Sequence, residues 1–228
     1  MAEKLIYQGK TKDVYENADG TYTLLLKDDA TGKDGVFDPG ENTVGLSVAG
    51  LGRSSLRLSQ YYFEKIKEAG IPTHFIGCDI ALAKMHVLPA TMFGQGLEFI
   101  CRRYAAGSFL KRYGAYTKMG DKLDYLVEVT LKDDARQDPF ITKETVVQLG
   151  IMTAVEYERC VAYAKNITKI IADDLSQKGL NLYDIKFEFG KNADEIMLID
   201  EVSAGCMRVY HNGEAVAPLE LGNLILGQ

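Results

Sequence analysis

The sequence has no C-x-x-C pair: its four cysteines, Cys78, Cys101, Cys160 and Cys206, are spread widely through 228 residues. It has only three histidines, His74, His86 and His211, so neither zinc-ligand spacing nor a disulfide framework is present. No run approaches the ~18 apolar residues of a membrane span. Residues Met1 to Tyr7 carry charges where the apolar core of a secretory signal would lie. The expectation is a cytoplasmic protein with reduced thiols and no membrane partner. Nucleotide signatures are missing too: no G-x-x-x-x-G-K-[ST] occurs, and Gly50-Leu51-Gly52 lacks the third glycine of G-x-G-x-x-G. Lys plus Arg 26 against Asp plus Glu 32 gives a net charge of −6, which disfavours a general polyanion binder and so nucleic acid. No internal repeat or Pro-rich linker marks a boundary.

What is present is an ordinary folding composition, 46% hydrophobic and 25% charged, long enough for one large domain or two small lobes. The first third reads as a small antiparallel meander. Leu5 to Tyr7 and Val14-Tyr15 flank Gly9-Lys10-Thr11-Lys12-Asp13, and Ala18-Asp19-Gly20 turns the chain into Thr21 to Leu26. Glycine-rich Gly32 to Gly52 reads as a long loop and a candidate lid. From about Ser55, Leu58, Tyr61, Tyr62, Ile66 and Ala69 share a helical face that stops at Gly70. A strand is expected near Leu97 to Arg102, then a loop and brief helix within Ala105 to Gly114, and a strand from Val127 to Leu131. Thr153-Ala-Val-Glu156 is a capping box opening a long helix with Tyr157, Cys160, Ala164, Ile167, Ile171 and Leu175 at helical spacing. Two strands, Leu180 to Phe189 and Glu195 to Asp200, close the pattern.

The first of these last strands alternates Asp184, Lys186 and Glu188 with Tyr183, Ile185, Phe187 and Phe189, giving one charged face and one apolar face. A half-solvated strand would look the same. Asp200-Glu201, however, ends an apolar strand just before Ser203-Ala204-Gly205, and carboxylates at such a strand end suit Mg²⁺ carried with phosphates. Lys10 and Lys12, two residues apart beside Gly9, could cradle a triphosphate, although a Lys-rich turn is commonly a solvated one. Arg102, Arg103, Lys111 and Arg112, with Gly107 and Ser108 between them and Arg208 further on, would hold a phosphate monoester or carboxylates; a basic surface helix is the plainer alternative. Lys132-Asp133-Asp134 and Asp138-Pro139 again place ionic groups after a strand. Together these clusters suggest ATP-dependent chemistry, with His74 and His86 structural or at the surface.

Taken in order, Tyr7 to Tyr15, Lys27 to Thr31, Gly70 to His74, Arg102 through Ala105-Ala-Gly-Ser-Phe-Leu-Lys-Arg112, Lys132 to Asp138, Asp184 to Gly190 and Asp200-Glu201 resemble the SAICAR synthetase family. That family joins carboxyaminoimidazole ribotide to L-aspartate with ATP in purine biosynthesis. The resemblance implies an α+β, two-lobed, kinase-like fold. A small N-terminal antiparallel sheet lobe, residues 1–83, would cover ATP, and a larger α+β lobe, residues 84–228, would hold the ribotide and metal sites. It implies Lys10, Lys12 and Lys132 as ATP-phosphate contacts, and Glu188 and Asp200 as nucleotide and Mg²⁺ carboxylates. Arg102, Ser108 and Arg208 resemble its ribotide-binding groups, with Lys186 and Asp138 polar groups of the same cleft. The chain departs from the family's usual pattern at Gly50-Leu51-Gly52-Arg53, at Ser203-Ala204-Gly205 and in its short C-terminal segment. Three other readings stay open: a small-molecule phosphotransferase, an amide ligase with another amine, and a non-catalytic nucleotide-binding relative. Oligomeric state is open as well.

Overall fold

The computed structural model describes residues 3–227, which form two compact units. The first takes the chain up to Ala90, then Ile199–Cys206 and everything from Val216. The second takes Thr91–Leu198 and Met207–Ala215.

In the first unit β1 (Lys4–Gln8), β2 (Lys12–Glu16) and β3 (Tyr22–Leu26) form the expected meander. The turn between β1 and β2 closes with Gly9 N–H donating to the Lys12 carbonyl at 2.9 Å. A Cβ at position 9 would stand 2.6 Å from that oxygen, so only glycine fits. The stretch expected as a loop instead holds β4 (Asp29–Lys33), β5 (Val36–Phe37) and β6 (Val44–Ser47), a three-stranded sheet ordered β5-β4-β6. Its strands escape sequence reading because Gly32 and Gly45 lie where the strands touch: a Cβ on Gly45 would meet the Gly32 carbonyl carbon at 2.3 Å.

Helix α1 (Leu51–Glu68) begins four residues before the expected Ser55. Its first amides are satisfied from outside the helix, the Asp28 carboxylate accepting from Gly50 N–H at 3.0 Å and Gly52 N–H at 2.9 Å. Its exit follows the sequence, with Gly70 at φ +74°. Strands β7 (Phe75–Asp79) and β8 (Lys84–Val87) then complete an antiparallel sheet in the order β1-β2-β3-β8-β7.

The second unit is built on a long antiparallel sheet. It comprises β9 (Thr91–Met92), β10 (Leu97–Tyr104), helix α2 (Ser108–Tyr113), β11 (Lys122–Leu131), α3 (Lys143–Gln148), α4 (Ala154–Ser176), β12 (Leu180–Asn192), β13 (Glu195–Ile199), β14 (Met207–His211) and β15 (Glu214–Ala215). Strand order is β11-β10-β12-β14-β15, with β9 and β13 also paired to β12. Register places Phe99 opposite both Val129 and Phe187 and Cys101 opposite Val127 and Ile185, so one face of the three central strands is apolar. That face is covered by α4, whose Cys160, Ala164, Ile167, Ile171 and Leu175 are buried as its spacing predicts. Phe99 packs edge-on to Phe189 at 5.3 Å and against Tyr157 of α4 at 5.8 Å. Truncating such a core side chain to Ala costs roughly 2–5 kcal/mol.

The last helix, α5 (Pro218–Leu226), returns to the first unit and packs on α1. Gly222 allows the approach, since a Cβ there would lie 2.2 Å from Ser54 Oγ. The expected division at residues 83 and 84 therefore differs from the one observed. Chain order cannot show that residues 199–206 and 216 onward rejoin the N-terminal unit through packing on α1.

Candidate active site

In the first unit the β1–β2 turn and the segment after β13 bring charges together. Lys12 leaves the start of β2 and its Nζ donates to Asp200 Oδ1, with Glu201 Oε1 3.6 Å away. Asp200 itself sits at φ +69°, a left-handed conformation that a non-glycine residue adopts at a cost. His74 Nε2 lies 2.8 Å from the Asp200 carbonyl oxygen, and burial pushes this imidazole down to about 4, so it is neutral at ordinary pH. Burial pushes the neighbouring Cys206 thiol up to about 12, and its Sγ–H donates to the Glu201 carbonyl at 3.4 Å. Lys10 donates to the Asn42 carbonyl at 2.9 Å, in the connection between β5 and β6. Lys27, which sequence reasoning did not select, reaches the Gly9 carbonyl at 2.8 Å and Asp13 at 2.7 Å, and so braces the same turn.

In the second unit the other face of the central sheet is ionic. Asp184, Lys186 and Glu188 of β12 stand in register with Arg102, Ile100 and Glu98 of β10. Glu98, Ile100 and Arg102 in turn face Thr130, Glu128 and Leu126 of β11. Far from being half-solvated, this face buries Glu98, Glu128, Asp184, Glu188 and Arg102. Burial of charge requires partners. Lys132 meets Glu188 at 2.6 Å, and Lys186 meets Glu98 at 2.7 Å, with Thr130 Oγ1 donating to the second Glu98 oxygen at 3.1 Å.

Arg102, only 1% exposed, uses four of its five N–H donors on protein: Glu128 at 2.7 Å, Asp184 at 2.6 Å, Ser108 Oγ at 3.0 Å and the Ala106 carbonyl at 3.4 Å. Arg112 also donates to Glu128, at 2.6 Å, and Arg208 to Asp184 at 3.0 Å. Gly107 is at φ +54°, where an L side chain is strained, and a Cβ there would lie 2.5 Å from the Arg208 guanidinium and displace it. Arg102, Ser108 and Arg208 are thus gathered into one cluster. Asp138 plays a different part. At φ +47° it accepts the Asp133 N–H at 2.7 Å and fixes the loop that follows Lys132.

The ionic face gathers five cations, Arg102, Arg112, Arg208, Lys132 and Lys186, against four carboxylates, Glu98, Glu128, Asp184 and Glu188. Such a surplus of paired cations suits an anionic ligand that replaces some of the carboxylate contacts. Glu98 and Glu128 were not selected from the sequence. Their signal was a carboxylate inside an apolar strand, but its partner depends on register. For a metal, no group of three or more His, Cys, Asp or Glu side chains among the described residues is arranged to hold one. Glu188 in the second unit and Asp200 in the first are hard oxygen donors already beside ammonium groups. That chemistry fits Mg²⁺ that brings phosphate oxygens and water with it, rather than a cage of protein ligands.

The family model described as SAICAR synthetase matches residues 5–219. A phosphoribosylaminoimidazole-succinocarboxamide synthase of Clostridium tetani is 53% identical, with 97% of this chain and 99% of that protein covered. One from Streptococcus sanguinis is 36% identical over 92% and 86% of the two chains. Among solved structures, a type-2 SAICAR synthetase in complex with ADP is 29% identical and superposes with a TM-score of 0.83, covering 97% of each chain. The type-1 structure of SAICAR synthetase from Pyrococcus horikoshii OT3 is also 29% identical, with a TM-score of 0.78 over 100% of this chain and 98% of the other.

Proposed function

We propose, because this chain belongs to the SAICAR synthetase family, that it joins the carboxylate of carboxyaminoimidazole ribotide to the amine of L-aspartate, with ATP becoming ADP and phosphate. The 53% identity to a relative of that name over nearly both whole chains carries this reading. The nucleotide side gains support from the structural relative bound to ADP. A succinocarboxamide is an amide whose nitrogen bears a succinyl group, which is what the aspartate amine supplies.

A carboxylate resists attack by an amine because oxide would have to leave. Activation comes first: a carboxylate oxygen of the ribotide attacks the γ-phosphorus of ATP, ADP departs, and an acyl phosphate results. The neutral amine of aspartate then attacks the acyl carbon, phosphate leaves with the bonding electrons, and the nitrogen gives up a proton to form the amide. Lys10, Lys12 and Lys132 offset charge on the transferring phosphoryl oxygens. Asp200 in the first unit and Glu188 in the second would each offer a hard carboxylate oxygen to Mg²⁺, which, when bound, shields phosphate charges. On the ribotide side, Ser108 and Arg208 offer a hydroxyl and a guanidinium for its phosphate. Arg102 works from beneath, fixing Ser108 directly and Arg208 through Asp184. Lys186 and Asp138 complete the polar surroundings.

No helix among the described residues is long and apolar enough to cross a membrane, and all four cysteines are free thiols. We place the reaction in the cytoplasm, where thiols stay reduced. The test is product identification from purified protein given ATP, Mg²⁺ and the ribotide with a panel of amino acids. Aspartate should give the succinocarboxamide; a phosphorylated ribotide accumulating with every amine would sink the ligase reading.

A further inference from the structure

Asp200 carries its carboxylate on a backbone that L-residues avoid, at φ +69°, a state costing roughly 1–3 kcal/mol that persists only where neighbours enforce it. Two buried side chains outside the proposed chemistry grip this stretch. His74 Nε2 lies 2.8 Å from the Asp200 carbonyl, and Ser59 Oγ of α1 accepts the Val202 N–H at 3.3 Å. A carbonyl oxygen offers only lone pairs, so the proton is on Nε2 and the imidazole is the donor. The ring is itself fixed, since it is buried with the Phe63 ring centroid 5.6 Å away and follows the turn that leaves α1 at Gly70. Beyond the carbonyl, the Asp200 side chain meets Lys12, and Glu201 reaches the same ammonium at 3.6 Å.

We propose that His74 is a positioning residue for the nucleotide groups: by donating to the Asp200 carbonyl it keeps Asp200 in the left-handed turn that brings both the Asp200 and Glu201 carboxylates to Lys12. The proposal rests on Lys12 and Asp200 being nucleotide groups. Glycine would adopt the turn at no cost but would bring no carboxylate, so an aspartate held by an outside donor meets both demands. Without the donor, Asp200 relaxes towards ordinary backbone angles and its carboxylate departs from Lys12.

The test compares His74→Gln, whose side-chain amide can donate where Nε2 does, with His74→Phe, which keeps a ring but no donor. ADP affinity by calorimetry and the Michaelis constants for ATP and ribotide are measured on the full chain. His74→Phe should weaken ADP binding and raise the ATP Michaelis constant on the order of 10–100-fold, with the ribotide constant little changed, as for other groups that orient a ligand-binding carboxylate. His74→Gln should stay close to wild type. Wild-type ADP affinity in His74→Phe, or equal impairment in both variants, overturns the proposal. If His74→Phe does not fold, His74→Asn replaces it, because the shorter amide cannot span to the Asp200 carbonyl; ADP affinity equal to that of His74→Gln is then the contradicting result. Asp200→Asn separates the two levels. Unchanged ADP binding there removes the nucleotide role of Asp200 and the positioning role with it. Weakened binding there beside intact binding in His74→Phe removes the positioning role alone.

Discussion

Glu98 and Glu188 stand directly opposite each other on β10 and β12, both buried, and each is met by its own lysine, Lys186 at 2.7 Å and Lys132 at 2.6 Å. Like charges in register repel across a sheet. The lysines therefore hold together the surface on which the proposed chemistry depends, and the two pairs are coupled.

Removing Lys132 leaves Glu188 facing Glu98 with one cation fewer. Lys132→Ala should lower kcat/KM for ATP on the order of 10²-fold, the usual cost of losing one aimed electrostatic donor. Adding Glu98→Gln should restore part of the folding stability lost, because the repulsion is gone. Urea titrations of both single variants and the double variant read this coupling, and strictly additive losses would contradict it.

Arg102 is the hub of the other cluster. Arg102→Ala takes one of two guanidinium partners from each of the buried carboxylates, leaving Glu128 to Arg112 and Asp184 to Arg208, and should cost up to about 3–5 kcal/mol, seen as a lower urea midpoint. Arg102→Lys should recover little, since one ammonium cannot serve Glu128, Asp184 and Ser108 together. In whatever folded protein remains, the ribotide Michaelis constant should rise more than that for ATP. A stability close to wild type in Arg102→Ala would refute the hub.

Elements announced by local chemistry were legible in the sequence, and those fixed at a distance were not. The meander turns, the α4 capping box and the alternation of Asp184 to Phe189 could all be read from neighbouring residues. The start of α1 could not, because its amides are capped by Asp28, 22 and 24 residues earlier. Among site residues, Lys12 and Asp200 are both read as nucleotide groups from the family resemblance, whereas no local pattern announces their direct contact, 188 residues apart. Glu98 and Glu128 went unselected for the same reason. A glutamate in an apolar strand shows its partner only once strand register is known.

The α4 cap gives a control away from the chemistry. Thr153 Oγ1 accepts the Glu156 N–H at 3.2 Å while Glu156 accepts the Thr153 N–H at 2.8 Å. Thr153→Ala should cost about 1 kcal/mol in unfolding free energy and leave every Michaelis constant unchanged. A kinetic effect as large as that of Lys132→Ala would mean that helix position, rather than local charge, governs the site.

Acid should weaken the first unit through His74. Its folded value, about 4, lies below the ordinary 6.5, so the unfolded chain binds more protons between those limits. Stability from this group is complete above pH ~6.5 and falls as the pH drops towards ~4, by about 3 kcal/mol in all. His74→Gln lacks the titration. Wild type should therefore lose about 3 kcal/mol of unfolding free energy relative to this variant as the pH falls through that window. A difference independent of pH would contradict a buried neutral imidazole.

The reaction itself is tested most directly by following ADP release from the wild-type protein while each substrate is withheld in turn. Rapid ADP formation should require ATP, ribotide and aspartate together, with one ADP and one phosphate per amide formed. Sustained ADP release that continues undiminished without aspartate would contradict amide synthesis and mark the protein as a phosphotransferase.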